Sequence, residues 1–214
     1  MSDLKLTPLN QWHSDHGARM VAFAGFEMPV QYEGVLAEHA AVRERVGLFD
    51  ITHMGEVHVD GPGAKDWLSS LITNSLLKSE PGKVVYTAMC NEQGRCLDDM
   101  LVYQLADERW LVVMNAANHD KIVAWMRDHL PADGVTMDDA SDRTALIAVQ
   151  GPDSKALVQR LDQLAGVVLR EAQILQEHRP SGQRAFDVIG ARMLDAPADH
   201  LILVRDGAYQ DVNV

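Results

Sequence analysis

Residues 84–118 read VVYTAMCNEQGRCLDDMLVYQLADERWLVVMNAAN, and the fold class turns on their second half. Two apolar runs, MLVYQL over 100–105 and WLVVM over 110–114, flank the polar Ala106-Asp107-Glu108-Arg109. That is the pattern of an antiparallel hairpin closed by a short loop. Upstream, Asn91-Glu92-Gln93-Gly94 reads as another loop, and Asp98-Asp99 stands between it and the strand. Successive strand side chains point to opposite faces, so if the strand begins at these acids only one of them faces a given cavity. A carboxylate at such a junction can orient or deprotonate an amine or stabilise a cationic intermediate. Two solvated turn acids are the plainer alternative.

Working outward, Val35, His39, Val42 and Val46 recur at three- and four-residue steps. They predict an amphipathic helix that ends at Gly47 and sets His39 against the core. Glu56-Val57-His58-Val59 alternates as a strand does, Asp60-Gly61-Pro62-Gly63 signals a turn, and 64–71 suits a short helix. Asn118 is placed to N-cap a helix running to about Leu130, with Ile122, Trp125, Met126 and His129 on one face and Pro131 after it. A strand over 144–149, a turn at Gln150-Gly151-Pro152 and a helix from Ser154 to about Leu164 follow. Hairpins interleaved with helices predict an α+β fold of mixed or antiparallel sheets with packed helices. Beyond Gly166, apolar islands such as 201–204 do not assemble into an evident continuation.

With 47% hydrophobic and 23% charged residues, the 214-residue chain can bury a core, which excludes a disordered tail. Nineteen Lys and Arg against 31 Asp and Glu leave a net charge of −12, which argues against nucleic acid or anionic lipid as a partner. No membrane-spanning run and no signal or transit pattern is visible, so a soluble cytoplasmic protein is expected. Two cysteines, Cys90 and Cys96, cannot staple a chain of this size. Their spacing is too wide for a C-x-x-C redox pair and completes no zinc pattern, so buried, inert thiols are expected. The histidines, including the His13 and His16 pair, lack a ligand signature such as H-E-x-x-H, and no metal is expected. Gly25, Gly34, Gly47 and Gly55 form no phosphate loop. Met54, Tyr86, Tyr103 and Trp110 are residue types that line a pocket for a flat aromatic ligand, and they serve equally well as core.

Several stretches, in order, carry a family likeness: LTPLNQWHSDHGARMVAFAGFEMPVQY, HAAVRERVGLFDITHMGEVHVDGPGA, VVYTAMCNEQGRCLDDMLVY, LVVMNAAN and ALIAVQGP. Together, over about residues 7–158, they resemble the amino-terminal part of the T-protein of the glycine cleavage system, the tetrahydrofolate-dependent aminomethyltransferase. The resemblance implies transfer of an aminomethyl group from the lipoyl arm of the H-protein to tetrahydrofolate, with release of ammonia. It makes the second acid of the LDD motif, Asp99, the catalytic carboxylate, and leaves Asp98 structural. It sets Met54, Tyr86, Tyr103 and Asn115 around the folate. A pterin is apolar on its faces and polar at its edge, which suits a methionine, tyrosines and an amide.

Two departures from the family pattern stand out. Where the family has a paired glycine before the acids, this chain has Gly94-Arg95-Cys96, so strain is expected at Arg95 if that position needs a positive φ. The later family stretches are not recognisable, which divides the chain into an aminomethyltransferase-like region over 1–158, incomplete relative to the family, and a divergent tail over 159–214. A non-catalytic folate-binding relative, an inactive remnant, and the folate portion of a demethylating oxidase are the alternative functions. Apolar surface left uncovered by the later stretches is also expected.

Overall fold

The computed structural model describes residues 4–165 and three further strands over 173–176, 187–190 and 199–205. The chain forms two compact units, residues 1–52 with 145–214 and residues 53–144. Both mix strands with helices, and the fold class is α+β as expected.

The first unit opens with β1 (Lys5–Leu6), α1 (Asn10–Asp15), β2 (Arg19–Phe23), β3 (Phe26–Gln31), α2 (Val35–Glu44) and β4 (Gly47–Asp50). β3 lies between β1, to which it is parallel, and β2, to which it is antiparallel. Helix α2 corrects the sequence reading, because none of its residues is buried and His39 is exposed. A polar device starts this helix instead of an apolar stripe: Glu38 Oε1 accepts the Tyr32 N–H at 2.7 Å and the Gly34 N–H at 2.9 Å. Those bonds hold the Glu38 carboxyl below its ordinary pKa even though burial pushes the other way. Gly47 is likewise not the helix stop. Arg45 caps the helix, and Gly47 begins β4, where a Cβ would meet Val42 Cγ2 at 2.4 Å.

A buried carboxylate pins this unit. The Asp50 side chain is fully buried and accepts from Thr7 Oγ1 at 2.6 Å and the Thr52 N–H at 3.0 Å, and it pairs with His13 Nε2 at 3.0 Å. Burial alone would raise its pKa, and these bonds outweigh that and lower it. His13 is thus a buried structural residue, and its Nδ1 lies 2.5 Å from the Tyr32 hydroxyl.

The second unit carries β5 (Gly55–Asp60), α3 (Ala64–Leu71), β6 (Val84–Cys90), β7 (Cys96–Ala106), β8 (Arg109–Met114), α4 (His119–Asp128) and β9 (Thr136–Asp139). Its sheet runs β6-β7-β8-β5-β9, antiparallel throughout. One sheet face meets α3 and α4 in an apolar core. Val57, Val59, Met100, Val102, Trp110, Val112 and Met114 pack there with Trp67, Leu68, Leu71, Ile122, Val123 and Met126. Burying each such side chain stabilises by about 1.5–3 kcal/mol, so this face dominates the unit. Trp110 is therefore core, not pocket lining.

The β7–β8 hairpin is where the sequence puts it, but β7 begins earlier, at Cys96, and 84–90 is a strand the sequence reading did not contain. Val84, Tyr86 and Ala88 are as apolar as the core-facing Val85 and Met89, so the segment lacks the alternation that marks a strand. Gly94, with φ 75°, turns the loop between β6 and β7. Among the described residues Ala24 is the one non-glycine at positive φ, so Arg95 carries none of the expected strain.

The chain then returns to the first unit through β10 (Thr144–Gln150), antiparallel to β4, followed by α5 (Ser154–Ala165). β11 (Gln173–Gln176), β12 (Asp187–Gly190) and β13 (Asp199–Arg205) complete the described elements. Most of the 159–214 region, named above as a divergent tail, lies outside the described residues. No helix among the described residues is long and apolar enough to cross a membrane. Exposed apolar side chains gather in the first unit, including Leu6, Phe23, Val35, Leu36 and Leu48.

Candidate active site

β7 sorts its two adjacent acids by alternation. Asp98 lies opposite Met89 on the core side and is 4% exposed, while Asp99 lies opposite Ala88 on the other face and is exposed. Asp98 acts as a hub. Its Oδ1 accepts from Asn115 Nδ2 at 3.0 Å and from Asn118 Nδ2 at 2.6 Å, and its Oδ2 accepts the Asn115 N–H at 3.0 Å. These bonds tie the end of β8 and the following 3-10 turn, Ala116–Asn118, onto β7.

Asp99 is held from both sides. The Tyr86 hydroxyl donates to its Oδ2 at 2.7 Å, and Asn115 Nδ2 lies 3.2 Å from its Oδ1 and 3.1 Å from its backbone carbonyl. The Asp99 bond is the leading cause that raises the Tyr86 pKa, with burial adding to it, so the phenol stays a donor. The result is an exposed carboxylate whose direction is fixed by a phenol and an amide while its outer lone pairs remain open.

The five candidates separate into three groups. Asp99, Tyr86 and Asn115 form one hydrogen-bonded chain. Met54 is half-buried and precedes Gly55, the ladder partner of Met114, so it enters the sheet at the end where Asn115 leaves it. Tyr103 shares the Asp99 face by alternation but is 2% exposed, and its hydroxyl has no hydrogen-bond partner. Burial drives its pKa far above the ordinary value.

Sequence reasoning missed two groups here. Asn118 stands at the N-cap position, but its side chain makes no cap bond. Lys121 Nζ donates to its Oδ1 at 2.7 Å, which turns the amide nitrogen toward Asp98. The second asparagine of NAAN was the available signal, and capping propensity masked it. The other group surrounds His119, whose Nδ1 is 2.8 Å from Asp120 and whose Nε2 is 3.1 Å from Asp139 Oδ2 and 3.1 Å from Ser141 Oγ. Burial alone would lower the His119 pKa, but the bonds to Asp120 and Asp139 raise it.

Ser141, His119 and Asp120 follow the order of a nucleophile, a base and an acid, but they cannot work as one. Ser141 Oγ donates to Asp139 at 2.7 Å, and a histidine held between two carboxylates keeps its own proton. Beside them Glu56 is fully buried, with neither carboxyl oxygen partnered, and burial together with Asp139 pushes its pKa up to about 9. Glu56 is therefore a neutral acid at pH 7. Its place in an alternating strand disguised it as an outward-facing residue.

An α+β protein organised around an acid pair on an antiparallel sheet is the class that the fold and this cluster define. The model of the GCVT N-terminal domain matches residues 9–176, most of the chain and beyond the residue 158 at which the motif likeness ends. An aminomethyltransferase of Chloroherpeton thalassium is 48% identical over 158 residues, covering 74% of this chain and 44% of the relative. One of Bacillus subtilis is 42% identical over 183 residues, covering 86% and 50%. The crystal structure of the glycine cleavage system aminomethyltransferase T from Bartonella henselae superposes with a TM-score of 0.70 at 34% identity, covering 74% of this chain and 44% of that one. The chain belongs to the GCVT N-terminal domain family, and it spans half or less of the length of these relatives.

Proposed function

We propose that this chain is the folate-handling part of a tetrahydrofolate-dependent aminomethyltransferase of the glycine cleavage system. A one-carbon unit passes from the aminomethyl-lipoyl arm of the H-protein to tetrahydrofolate, ammonia leaves, and the lipoyl arm is released reduced. Tetrahydrofolate is a substrate here, and the reading requires no metal and no nucleic acid. Its setting is the cytoplasm.

The observation that carries the reading is the Tyr86–Asp99–Asn115 hydrogen-bond chain, made by three of the residues that the family resemblance assigns to the folate pocket. Asp99 is the catalytic residue. With one oxygen held by a phenol and the other by an amide, its carboxylate is aimed before substrate arrives, so little reorganisation is needed when iminium-like charge develops. Its exposure leaves it free to orient the reacting amine. Met54 and the Tyr86 ring offer apolar contacts for the faces of a pterin. Asn115 offers a polar group for its edge, and the unpartnered Tyr103 hydroxyl, buried on the same face as Asp99, would join it only where binding uncovers that hydroxyl. Residues 1–158 constitute the folate-binding region in this account, and 159–214 a divergent tail.

Folate binding without transfer is the second reading, because the Tyr86–Asp99–Asn115 chain would serve a bound folate whether or not a one-carbon unit is passed to it. Calorimetry with tetrahydrofolate, on the wild-type chain and on Asp99→Asn, tests the first step. Saturable binding supports both readings, and its absence from folded protein contradicts both. Release of ammonia from aminomethylated, lipoylated H-protein separates them: turnover that Asp99→Asn abolishes supports the transferase, and binding without turnover supports the alternative.

A further inference from the structure

The two cysteines are not the buried, inert thiols that their spacing suggests. Cys96 is exposed, Cys90 is half-buried, and both are free. The β6–β7 ladder sets them directly opposite each other across the loop. Met89 pairs with Asp98 and the next pair is Cys90 with Cys96, so Leu97 is a bulged residue, and it packs against the core. Because Met89 faces the core, Cys90 points to the other side, the side of Ala88, Tyr86 and Asp99. Cross-strand partners share a face, which puts Cys96 on that side too.

Opposed residues of an antiparallel pair have Cα atoms about 4.5–5.5 Å apart. That range falls within the roughly 4.4–6.8 Å that a disulfide spans. The Asn91 N–H bonds to the Arg95 carbonyl at 2.9 Å, which closes the loop just beyond the cysteines and holds them in register. Cys96 Sγ also lies 3.5 Å from the Asp98 carbonyl oxygen, so the pair abuts the acid pair.

We infer that Cys90 and Cys96 form a redox-responsive dithiol that closes into an intrachain disulfide when it meets a small-molecule disulfide. The thiolate of the exposed Cys96 attacks one sulfur of the oxidant and expels its first thiol, leaving a mixed disulfide. Cys90 then attacks the Cys96 sulfur and expels the second. Two protein thiols are oxidised to one disulfide, one oxidant disulfide is reduced to two thiols, and the two protons leave on those thiols. An exposed cross-strand bond of this kind belongs to the reducible, regulatory class of disulfides. Closing it draws Cys96 toward Cys90 and away from the Asp98 carbonyl. The inference rests on cysteine register and exposure and stands whether or not Asp99 meets folate.

The test titrates the full, reduced chain with oxidised glutathione, traps remaining thiols by alkylation and maps the tryptic peptides. Trypsin cuts after Lys83, Arg95 and Arg109, so an intrachain bond joins the fragments 84–95 and 96–109. The expected result is that joined species, two hydrogens lighter than the sum of its parts, with both thiols lost in parallel. Cys90→Ser accumulates a glutathione adduct on Cys96, and the wild type releases glutathione at least tenfold faster. A lasting adduct on wild-type Cys96 with Cys90 still alkylated would overturn the inference. So would joined fragments found only in a covalent dimer, or wild-type thiols that stay free at oxidant levels that saturate Cys90→Ser.

Discussion

Asp50 in the first unit and Glu56 in the second both have completely buried side chains, and the two behave in opposite ways. Asp50 in the first unit is met by a hydroxyl, a backbone N–H and a histidine, and its pKa is lowered despite burial. Glu56 in the second unit meets no donor, and its pKa rises to about 9. Burial alone therefore does not decide the charge of an acid; the donors aimed at it do. The same contrast extends to what holds each unit together. Among the described residues the second holds the larger apolar core, while the first leaves Leu36 86% exposed and joins a smaller apolar cluster around Val149 and Val158 to the Asp50 pin.

Breaking the core gives the largest expected effect. Leu68→Ala, fully buried in the second unit, should cost about 2–5 kcal/mol in chemical denaturation. Leu36→Ala should stay within about 0.5 kcal/mol. Equal costs would dissolve the contrast between the units. Removing the pin comes next. Asp50→Ala strands Thr7, Thr52 and His13 and should cost about 1–3 kcal/mol at neutral pH. Because the folded-state pKa of Asp50 is lowered, its contribution is present above the ordinary aspartate value of 3.8 and fades as pH falls through the folded value, so the deficit of Asp50→Ala should shrink in acid.

Glu56→Gln sharpens the comparison from the other side. A raised folded-state pKa favours the fold below the unfolded value, near 4.5, and that advantage is lost as pH rises toward about 9. Against wild type, the glutamine variant should gain melting temperature progressively between those limits. Parallel pH profiles would mean Glu56 is ionised in place. A small effect is also expected at Arg95→Gly: the residue is not at positive φ, so no strain is relieved and stability should change by no more than about 0.5–1 kcal/mol, in the destabilising direction.

What the sequence disclosed follows the same physics. The hairpin of β7 and β8, the helix α3 and the opposed directions of Asp98 and Asp99 were legible because apolar periodicity and alternation generate them. Strand β6 was hidden by apolar residues on both faces, and α2 misled because its apolar positions face solvent while Glu38 starts the helix. Of the site, Asp99, Tyr86 and Asn115 meet directly, yet nothing in their spacing shows it; the family resemblance supplied that grouping. The bond of Asn118 to Asp98, the burial of Glu56 and the Cys90–Cys96 pairing depend on contacts between separate strands and turns or on a bulge, which apolar periodicity does not encode.

The central claim is that one strand divides adjacent acids into a structural and a working residue. Measuring melting temperature and tetrahydrofolate affinity together for Asp98→Asn and Asp99→Asn tests it most directly. The account predicts that Asp98→Asn lowers the melting temperature by several degrees as its three donors lose their carboxylate. Asp99→Asn should melt like wild type and lose most of its tetrahydrofolate affinity. Matching losses in the two variants, or an Asp99→Asn chain that binds as well as wild type, would contradict it.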